Sequence, residues 1–356
     1  MPKISAQFSK TLITWYLHNK RDLPWRGIDN PYFIWLSEII LQQTRVAQGT
    51  PYYYAFTEAF PTIHDLASAD EETVLKLWQG LGYYSRARNL HSAAKYVVVE
   101  LDGVFPSTYS EIYKLKGVGD YTASAIASIC FNESTAVVDG NVYRVLSRYL
   151  GINTAINSTS GIKEFKTLAQ KLIDPRDPAT YNQAIMEFGA RHCVPQNPDC
   201  TSCVFNESCA AFRENQVGAL PVKLKKTKVR NRYFNFLVPL TDDKKTILKQ
   251  RKGKGIWQNL YEFPLVETAQ EVDETALLSE ENFRSIINEW DIDSVSLYNE
   301  VAITHKLSHQ HLHTRFWIVI LKSELDQMQT IREVKEKAVP VLIGNFIDTF
   351  TPFNTV

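Results

Sequence analysis

Four cysteines within a short stretch constrain the fold of this chain most strongly. Their spacing is C-x6-C-x2-C-x5-C, at Cys193, Cys200, Cys203 and Cys209. A disulfide framework requires an oxidising compartment, and the amino-terminal sequence MPKISAQFSKTLITWYLHNK lacks the apolar core and cleavage site of a signal peptide. We therefore expect a cytoplasmic chain in which the four thiolates bind a metal.

Zinc and an iron–sulfur cluster are the two metal centres that use four thiolates. Zinc sites favour two closely spaced cysteine pairs, and here only Cys200 and Cys203 form such a pair. The longer x6 and x5 segments favour a [4Fe-4S] cluster, whose four irons are reached from different directions. We predict one cluster per chain, with zinc as the alternative. The fifth cysteine, Cys130, lies in the apolar run AIASICF and is predicted to be a small buried residue.

The character of the sequence changes near residue 220. Before it, apolar residues recur at helical spacing and strand-like alternation is nearly absent; after it, short β-rich runs predominate. We predict an all-α part followed by an α+β part. The predicted helices are Ser37–Gln48, Glu71–Trp78, Ser85–Glu100, Ser107–Leu115, Thr122–Phe131, Gly140–Leu150 and Asn282–Trp290. The predicted strands are Tyr233–Leu240, Thr246–Gln250, Val301–His305 and His311–Leu321.

Composition and charge support this division. The chain has 356 residues, 44% hydrophobic and 22% charged, which predicts two or three domains and excludes a mainly disordered chain. No apolar stretch approaches the roughly 18 residues of a transmembrane helix. Residues 221–260 contain 12 basic and 2 acidic side chains, whereas residues 261–356 contain 7 and 16. The basic segment could hold a phosphate backbone or be a solvated linker.

Two local patterns suggest a nucleic-acid enzyme. In LKGVGDYTASAIASI, Gly117 and Gly119 form a G-V-G turn just before a helix, which turns backbone N–H groups towards an anion. This pattern is typical of a helix-hairpin-helix element that binds one DNA phosphate, although an ordinary helix connection is the alternative. In VDGNVYRVLSR, Asp139 precedes a helix that begins near Asn141, so Asp139 is at least a helix cap.

The G-V-G hairpin, the aspartate that follows it and the cysteine spacing together resemble the helix-hairpin-helix DNA glycosylases that carry a [4Fe-4S] cluster, of which endonuclease III is one branch. Four longer segments are similar to the adenine DNA glycosylases of the MutY type, which remove adenine mispaired with 8-oxoguanine. The resemblance covers almost the whole chain. The segments are LPWR (23–26), WLSEIILQQTRV (35–46), GLGYYSRARNL (80–90) and VDGNVYRVLSR (138–148).

The resemblance implies a domain organisation and a partner. The partner would be double-stranded DNA with A:8-oxoguanine or A:G mispairs, bound by a monomer at the bacterial nucleoid without any membrane. The implied domains are a catalytic region at 1–220, a basic linker at 213–231 and a Nudix-like 8-oxoguanine recognition domain at 232–356. Within the catalytic region, a six-helix barrel would occupy about 25–130, with the helix-hairpin-helix at 112–129, and a cluster domain about 1–24 plus 131–212.

The resemblance also implies catalytic roles. Glu38 would protonate adenine, at N7, from a dry pocket that raises its pKa. Asp139 would be the ionised partner that stabilises an oxocarbenium-like state, electrostatically or by transient covalent bonding. Asn141 would orient water beside Asp139. Trp25, Arg26 and Gln183 would line the adenine pocket.

Tyr121 marks a departure from the bifunctional enzymes of this fold. These glycosylase/lyases have a lysine after G-V-G-x, whose amine forms a Schiff base with the sugar. Tyr121 at that position predicts a monofunctional glycosylase that leaves an abasic site. The alternatives are a thymine/mismatch-type or endonuclease III-like glycosylase/lyase and a redox-sensing iron–sulfur protein that binds DNA without catalysis. The presence of both Glu38 and Asp139 disfavours the latter.

Several residues would contact DNA and 8-oxoguanine. Because a duplex hides the target base, the base must be flipped out. Gln43 and Tyr83 would fill the gap beside the facing 8-oxoguanine, by hydrogen bonds and stacking respectively. In the segment HKLSH (305–309), Ser308 and His309 would contact 8-oxoguanine, while Gly117 and Gly119 would bind a backbone phosphate.

The carboxy-terminal part is predicted to bind rather than to hydrolyse. GIWQNLYEFP (255–264) resembles the Nudix-related domain attached to adenine glycosylases. The following ETAQEVDETALLSEENF lacks the R-E-x-x-E-E order of a working Nudix hydrolase, so we expect no pyrophosphatase activity. His309, His311 and His313 would share one strand face, but no cysteine or acid joins them nearby. We expect these histidines to face solvent or DNA rather than zinc.

The cysteine spacing leads to a testable prediction. The purified protein should be yellow-brown and contain about four iron and four sulfide per chain, with substoichiometric zinc. Cys200→Ser should lose the cluster or the folded loop, because losing a ligand of a metal-held segment is losing its fold. Metal and sulfide analysis with the visible spectrum checks this, and stoichiometric zinc without broad visible absorbance would contradict it.

Overall fold

A computed structural model describes residues 2–224 and 229–354 of the chain, with side chains from residue 6 onward. The chain forms two compact units. The first comprises Met1–Ser68 and Asn89–Lys225, and the second comprises Ala69–Arg88 and Lys226–Val356. Part of the basic linker predicted at 213–231, namely residues 225–228, lies outside the described residues.

The first unit is helical, as the sequence predicts. Helices α1, α8 and α9 all pack against α11, and α2 packs against α3 and α8. No described helix of the chain combines the length and apolar character that crossing a membrane requires. The helices are α1 (Pro2–Asn19), α2 (Pro31–Leu41), α3 (Val46–Ala59), α4 (Ile63–Ser68), α6 (Ser85–Glu100, shared with the second unit), α7 (Tyr109–Ile112), α8 (Asp120–Phe131), α9 (Gly140–Leu150), α10 (Thr159–Leu172), α11 (Pro178–Arg191) and α12 (Ala210–Arg213).

The core of this unit is made of large side chains that α1, α9, α10 and α11 turn inward. Phe8, Leu12, Val145, Phe165 and Phe188 are all buried there. Their burial removes apolar surface from water, which is the main favourable term in folding. The aromatic rings of this core therefore fix α1 and α11 side by side, and α11 is the helix on which the site below depends.

The prediction of one continuous helix over Ser37–Gln48 is wrong, because the chain turns between Leu41 and Val46. Helix α2 begins at Pro31, where Asn30 caps it by accepting a hydrogen bond from the Tyr32 N–H group. It ends at Leu41, and Gln43 has φ +59°, a left-handed conformation that no helix can continue through. A second helix, α3, then starts at Val46.

The second unit is built on a mixed sheet in the strand order β4-β1-β7-β5, with β6 also paired to β7. Strands β1 and β7 run parallel, with Phe236 opposite Phe316, and the other pairs are antiparallel. The elements are α5 (Glu71–Leu77), β1 (Arg230–Leu240), β2 (Lys249–Gln250), β3 (Tyr261–Glu262), β4 (Leu265–Thr268), α13 (Glu274–Ser279), α14 (Glu281–Ile287), β5 (Ile292–Leu297), β6 (Ile303–Lys306), β7 (Gln310–Leu321), α15 (Ile331–Glu336), α16 (Val341–Thr349) and a 3-10 turn (Thr351–Phe353).

The α+β prediction for this region is confirmed, with one strand much shorter than expected. Of the strand predicted at Thr246–Gln250, only Lys249–Gln250 pairs with β3, while Thr246 forms an isolated bridge to Gln329. Helix α5 also belongs to this unit. Lys76 donates hydrogen bonds to the carbonyl groups of Lys335 and Lys337, and Asn259 donates one to Glu71. Residues 69–88 are therefore held by the carboxy-terminal part of the chain.

Candidate active site

A buried carboxyl group lies on α2. Glu38 is flanked by the buried Ile39 and Ile40, and only 9% of its own surface is exposed. The pKa of Glu38 is raised from 4.5 to about 7, mainly by burial. A hydrogen bond with Tyr121 lowers this pKa, and the charge of the Asp139 carboxyl raises it. Glu38 can therefore hold a proton near neutral pH, as a general acid must.

The second carboxyl group, Asp139, caps α9. Its Oδ1 accepts hydrogen bonds from the N–H groups of Asn141 and Val142, at 2.9 and 2.8 Å, and its Oδ2 accepts one from Asn141 Nδ2 at 2.7 Å. Burial raises the pKa of Asp139, while these hydrogen bonds and the charge of Arg144 act in the opposite direction. Three N–H donors and a helix N-terminus all favour the ionised form.

The surroundings of Glu38 and Asp139 give the two carboxyl groups different proton affinities. The Asp139 carboxyl makes Glu38 harder to ionise because like charges repel. Asp139 receives three hydrogen bonds from N–H groups, whereas the hydrogen bond with Tyr121 is the one that opposes the raised pKa of Glu38. Glu38 therefore holds a proton more readily than Asp139, and the arrangement can supply one acid and one anion.

Helix α11 brings a set of side chains to this pair. Gln183, Met186 and Glu187 lie at i, i+3 and i+4 and so share one face. The Tyr121 hydroxyl lies between Glu38, with which it shares a hydrogen bond, and Met186, whose Sδ is 3.1 Å from the phenol oxygen. Gln183 and Glu187 therefore lie on the same face of α11 as Met186, which contacts Tyr121.

Glu187 anchors the predicted pocket residue Arg26. Its Oε2 is 2.6 Å from Arg26 Nη2, its Oε1 is 2.8 Å from Arg21 Nε, and only 1% of its side chain is exposed. Burial would raise the pKa of Glu187, but the hydrogen bonds from Arg21 and Arg26 outweigh it and bring the pKa to about 2. The charged bond between Glu187 and Arg21 is bidentate. Arg26 donates once to Glu187 and once to the Arg21 carbonyl, so its guanidinium group is held at two points.

The other two predicted pocket residues are also held in place. The indole of Trp25 packs edge-on against Tyr53, with ring centroids 5.2 Å apart. The Tyr16 hydroxyl donates a hydrogen bond to Gln183 Oε1 at 2.8 Å, and the Arg26 guanidinium lies over the Tyr16 ring. Arg26 and Gln183 are thus both in contact with Tyr16.

Asn141 connects Asp139 to the cysteine segment. Arg144 Nη2 donates hydrogen bonds to Asn141 Oδ1 at 2.8 Å and to the Gly189 carbonyl at 2.6 Å, and its Nε donates to the Cys193 carbonyl at 2.7 Å. A Cβ atom at Gly189 would lie 2.6 Å from Asn141 Cβ. Glycine is therefore required where α11 approaches the start of α9.

The four clustered cysteines line one pocket, together with Arg148 and Phe205. Burial and the neighbouring thiols raise the pKa of Cys203 to about 11. Burial also raises the pKa of Cys200 and Cys209, so a cationic centre is needed to hold these thiols as thiolates. Arg148 Nη1 donates to Cys193 Sγ at 3.5 Å, and the Phe205 N–H group donates to Cys203 Sγ at 3.4 Å. The donor set thus fits the predicted iron–sulfur cluster. In the part of the chain that the structure describes, no group of three or more His, Cys, Asp or Glu side chains is arranged to hold a single metal ion.

The G-V-G turn precedes α8 and depends on glycine. Gly117 has φ +82°, and a Cβ atom there would lie 2.6 Å from Asn89 Cβ, so only glycine fits. Gly119 occupies the N-cap position of α8, and no side chain caps that helix end. Its first N–H groups are therefore available to an anion.

Both residues predicted to intercalate have strained backbones. Gln43 has φ +59° and Tyr83 φ +46°, values that non-glycine residues adopt at a cost. Both side chains are exposed, Tyr83 to 51%. Strain of this kind is typical of residues whose position serves a function rather than packing.

In the second unit, the Tyr83 hydroxyl forms a hydrogen bond with Ser308 Oγ. Two residues that the sequence assigned to 8-oxoguanine are thus in contact. Ser308 and His309 line a pocket with Tyr83, Arg88, Arg232 and Trp257. His313, in contrast, packs on Tyr233 and contacts Thr304 and Asn231.

Sequence reasoning missed four residues of the first unit, namely Tyr16, Arg144, Met186 and Glu187. Each contacts a predicted site residue through its side chain. Two had a local signal, since Glu187 follows Gln183 by four residues on α11 and Arg144 follows Asn141 by three on α9. Tyr16 and Met186 had none, because their contacts follow only from how the helices pack.

Comparisons with known proteins identify the family to which each part of the chain is similar. Residues 36–175 match the family model described as HhH-GPD superfamily base excision DNA repair protein, and residues 235–349 match the NUDIX domain. The adenine DNA glycosylase of Buchnera aphidicola subsp. Baizongia pistaciae is 36% identical over 321 residues, covering 88% of this chain and 87% of that protein. The adenine DNA glycosylase of Mus musculus is 46% identical over 222 residues, which are 60% of this chain but 43% of the mouse protein.

A solved structure gives the same result for the fold. A thermostable thymine-DNA glycosylase aligns with a TM-score of 0.56 at 29% identity, over 60% of this chain and 98% of that one. The predicted fold class is confirmed: a helix-hairpin-helix glycosylase fold precedes a Nudix-like domain with a mixed sheet.

The buried acid predicts a pH-dependent stability difference. Raising the pKa of Glu38 from 4.5 to about 7 means that the folded chain resists its ionisation. At about 1.36 kcal/mol per unit, this costs on the order of 3 kcal/mol above pH 7 and nothing below about pH 4.5. Glu38→Gln should therefore melt several degrees above the wild type at pH 8.5, with the difference shrinking as the pH falls towards 5.

Thermal melts at several pH values check this prediction. Glu58→Gln is the matched control, because Glu58 is an exposed carboxyl on α3. That variant should follow the wild type at every pH. A difference for Glu38→Gln that stays constant from pH 5 to 8.5 would contradict the assignment of the proton to Glu38.

Proposed function

The chain belongs to the adenine DNA glycosylases, which are DNA N-glycosylase hydrolases of base excision repair, and from this premise we propose a finer activity. It removes adenine from A:8-oxoguanine and A:G mispairs in duplex DNA, as a monofunctional and monomeric enzyme. The observation that carries this proposal is the pair formed by a protonated Glu38 and a capped, ionised Asp139. Cleavage of a glycosidic bond requires one acid and one anion of this kind.

The proposed reaction begins with proton transfer. Glu38 donates its proton to N7 of the flipped adenine, which converts the base into a better leaving group. The C1′–N9 bond then breaks, its electron pair leaves with adenine, and the sugar acquires oxocarbenium character. Asp139 stabilises that positive charge, electrostatically or by a transient covalent bond. Water oriented by Asn141 adds to C1′, and its proton passes to a carboxylate, so that the acid is restored.

Tyr121 supports hydrolysis by water rather than by an amine. Its hydroxyl lies between Glu38 and Met186, and burial raises its pKa well above its ordinary value. A neutral phenol cannot form the Schiff base by which a lysine would attack C1′. Tyr121 instead completes the polar lining around the acid.

Several of the predicted residues would bind duplex DNA. The N–H groups at Gly119 and the start of α8 would bind a backbone phosphate without reference to sequence. Gln43 and Tyr83 would fill the space left by the flipped base, at a cost of a few kcal/mol for unstacking. Ser308 and His309, in the pocket with Tyr83, would contact the facing 8-oxoguanine.

Cys193, Cys200, Cys203 and Cys209 would hold one [4Fe-4S] cluster. When bound, the cluster supplies iron–thiolate bonds that cross-link the loop. Arg144 and Arg148 donate to the carbonyl groups of Cys193, Val194 and Pro195, so this loop is tied to α9. The cysteines thus support the helix whose first residue is capped by Asp139.

The proposed activity predicts a specific product and pH dependence. Single-turnover assays should show adenine release with an intact strand until alkali or heat is applied, and release should slow as the pH rises through about 7 because Glu38 loses its proton. Glu38→Gln should bind the duplex nearly as well but lose roughly 10²- to 10⁴-fold in rate, the contribution of general-acid catalysis. Strand scission as fast as base release, with borohydride trapping, would instead indicate a lyase.

The role of the second unit needs point substitutions, because residues 69–88 pack with residues 231–356 and a deletion would strip their partners. Ser308→Ala with His309→Ala should lower the preference for 8-oxoguanine over guanine opposite adenine by roughly 1–3 kcal/mol, the scale of good base-edge contacts. Adenine release opposite guanine should change little. Ser294→Ala is the control, since Ser294 is an exposed serine on strand β5 of the same unit. An unchanged preference in the double variant would exclude Ser308 and His309 as contacts.

A further inference from the structure

Gln183 differs from the other two predicted pocket residues in its hydrogen-bonding polarity. A guanidinium such as Arg26 and an indole such as Trp25 can only donate, whatever their orientation. A carboxamide donates from one end and accepts at the other, so its effect on a base depends on which end faces it. The orientation of the Gln183 amide therefore determines whether this residue offers the base a hydrogen-bond donor or an acceptor.

Tyr16 fixes that orientation from α1. Its hydroxyl donates to Gln183 Oε1 at 2.8 Å, and Tyr16 is only 4% exposed. If the amide were reversed, the hydroxyl would accept from Nε2 and its own buried proton would lose its acceptor, which costs the full desolvation of an O–H group. Burial also raises the pKa of Tyr16, so the hydroxyl keeps the proton that it donates. With Oε1 bound in this way, Nε2 has no acceptor among the described residues and is free to meet the base.

We propose that Tyr16 is a positioning residue that sets the choice between adenine and 6-oxopurines, by holding the Gln183 amide with its NH₂ group towards the base. The proposal rests on the adenine glycosylase function above. Flipped bases are recognised on their Watson–Crick edge. N1 of adenine is an acceptor there, whereas guanine and hypoxanthine carry an N–H donor at the same position. A fixed NH₂ group can donate a hydrogen bond to N1 of adenine. In guanine and hypoxanthine it would face another N–H donor.

This selectivity has a clear purpose in a purine–purine mispair. Both bases of an A:G or A:8-oxoguanine pair are purines of similar size, so pocket volume alone discriminates poorly between them. Hydrogen-bonding sites that leave a buried polar group unpaired with the wrong substrate discriminate far more strongly. Arg26 cannot supply this discrimination by reorienting, because Glu187 and the Arg21 carbonyl hold its guanidinium.

The test compares two substrates that differ at N1 and C6. Single-turnover excision is measured from duplexes with 8-oxoguanine opposite adenine or opposite hypoxanthine, which has the 6-oxo group of guanine without its 2-amino group. Tyr16→Phe keeps the ring under Arg26 but removes the hydroxyl, so the amide can reverse. We expect the adenine-to-hypoxanthine rate ratio to fall about 10- to 100-fold. The ratio is insensitive to a general loss of active enzyme, which lowers both rates equally.

Two further variants separate this role from a structural one. In a Gln183→Ala background, Tyr16→Phe should change the ratio less than about twofold, because its effect passes through the amide. Tyr181→Phe is the matched control. It removes a buried hydroxyl that has no partner among the described residues, from the same helix as Gln183, and it should leave the ratio unchanged.

The outcomes distinguish this proposal from the proposed function. An unchanged ratio in Tyr16→Phe, an equal fall in both rates, or the same shift without Gln183 would each overturn the role of Tyr16 while leaving adenine excision intact. A wild-type enzyme that removes hypoxanthine as fast as adenine would do the same. Absence of adenine excision by the wild type would contradict the proposed function itself, and the proposal with it.

Discussion

The hydrogen bonds around Asp139 are the interaction on which the rest of the first unit depends. One carboxylate satisfies the first N–H groups of α9, which would otherwise be unpaired, and the same carboxylate is the anion of the proposed reaction. The helix that it caps carries Arg144 and Arg148 to the cysteine segment. A substitution at Asp139 would therefore disturb the chemistry, the start of α9 and the support of the loop together.

Chain regions far apart in sequence converge on α11, and this explains what the sequence could and could not predict. Asp139, Gly117 and the cysteines belong to short contiguous patterns, so a helix cap, a tight turn and a cluster of thiols could be predicted there from the sequence. Tyr16 and Gln183 are 167 positions apart, and their contact depends on how α1 packs on α11. No local pattern encodes such a pair, and only the fold reveals it.

Backbone conformation and domain membership were harder still to predict. The turn at Gln43 interrupts a run of good helix formers without Gly or Pro, the residues that normally signal a break. Residues 69–88 have the helical pattern of the first part of the chain, yet their hydrogen bonds go to the carboxy-terminal sheet unit. Their membership follows from tertiary contacts, which override local character.

Two buried glutamates in one unit show how surroundings decide function. Glu38 and Glu187 are both almost inaccessible to water. Glu187 faces two arginines and has a pKa of about 2, so it is a permanent anion that anchors the base pocket. Glu38 faces a neutral tyrosine and another carboxyl, and its pKa is about 7. A buried acid without a cationic partner costs stability. Because Glu38 has no such partner, it keeps a proton that it can transfer. The proposed catalytic acid is therefore the buried carboxyl that the fold leaves without a cation, whereas the paired carboxyl of Glu187 holds Arg21 and Arg26.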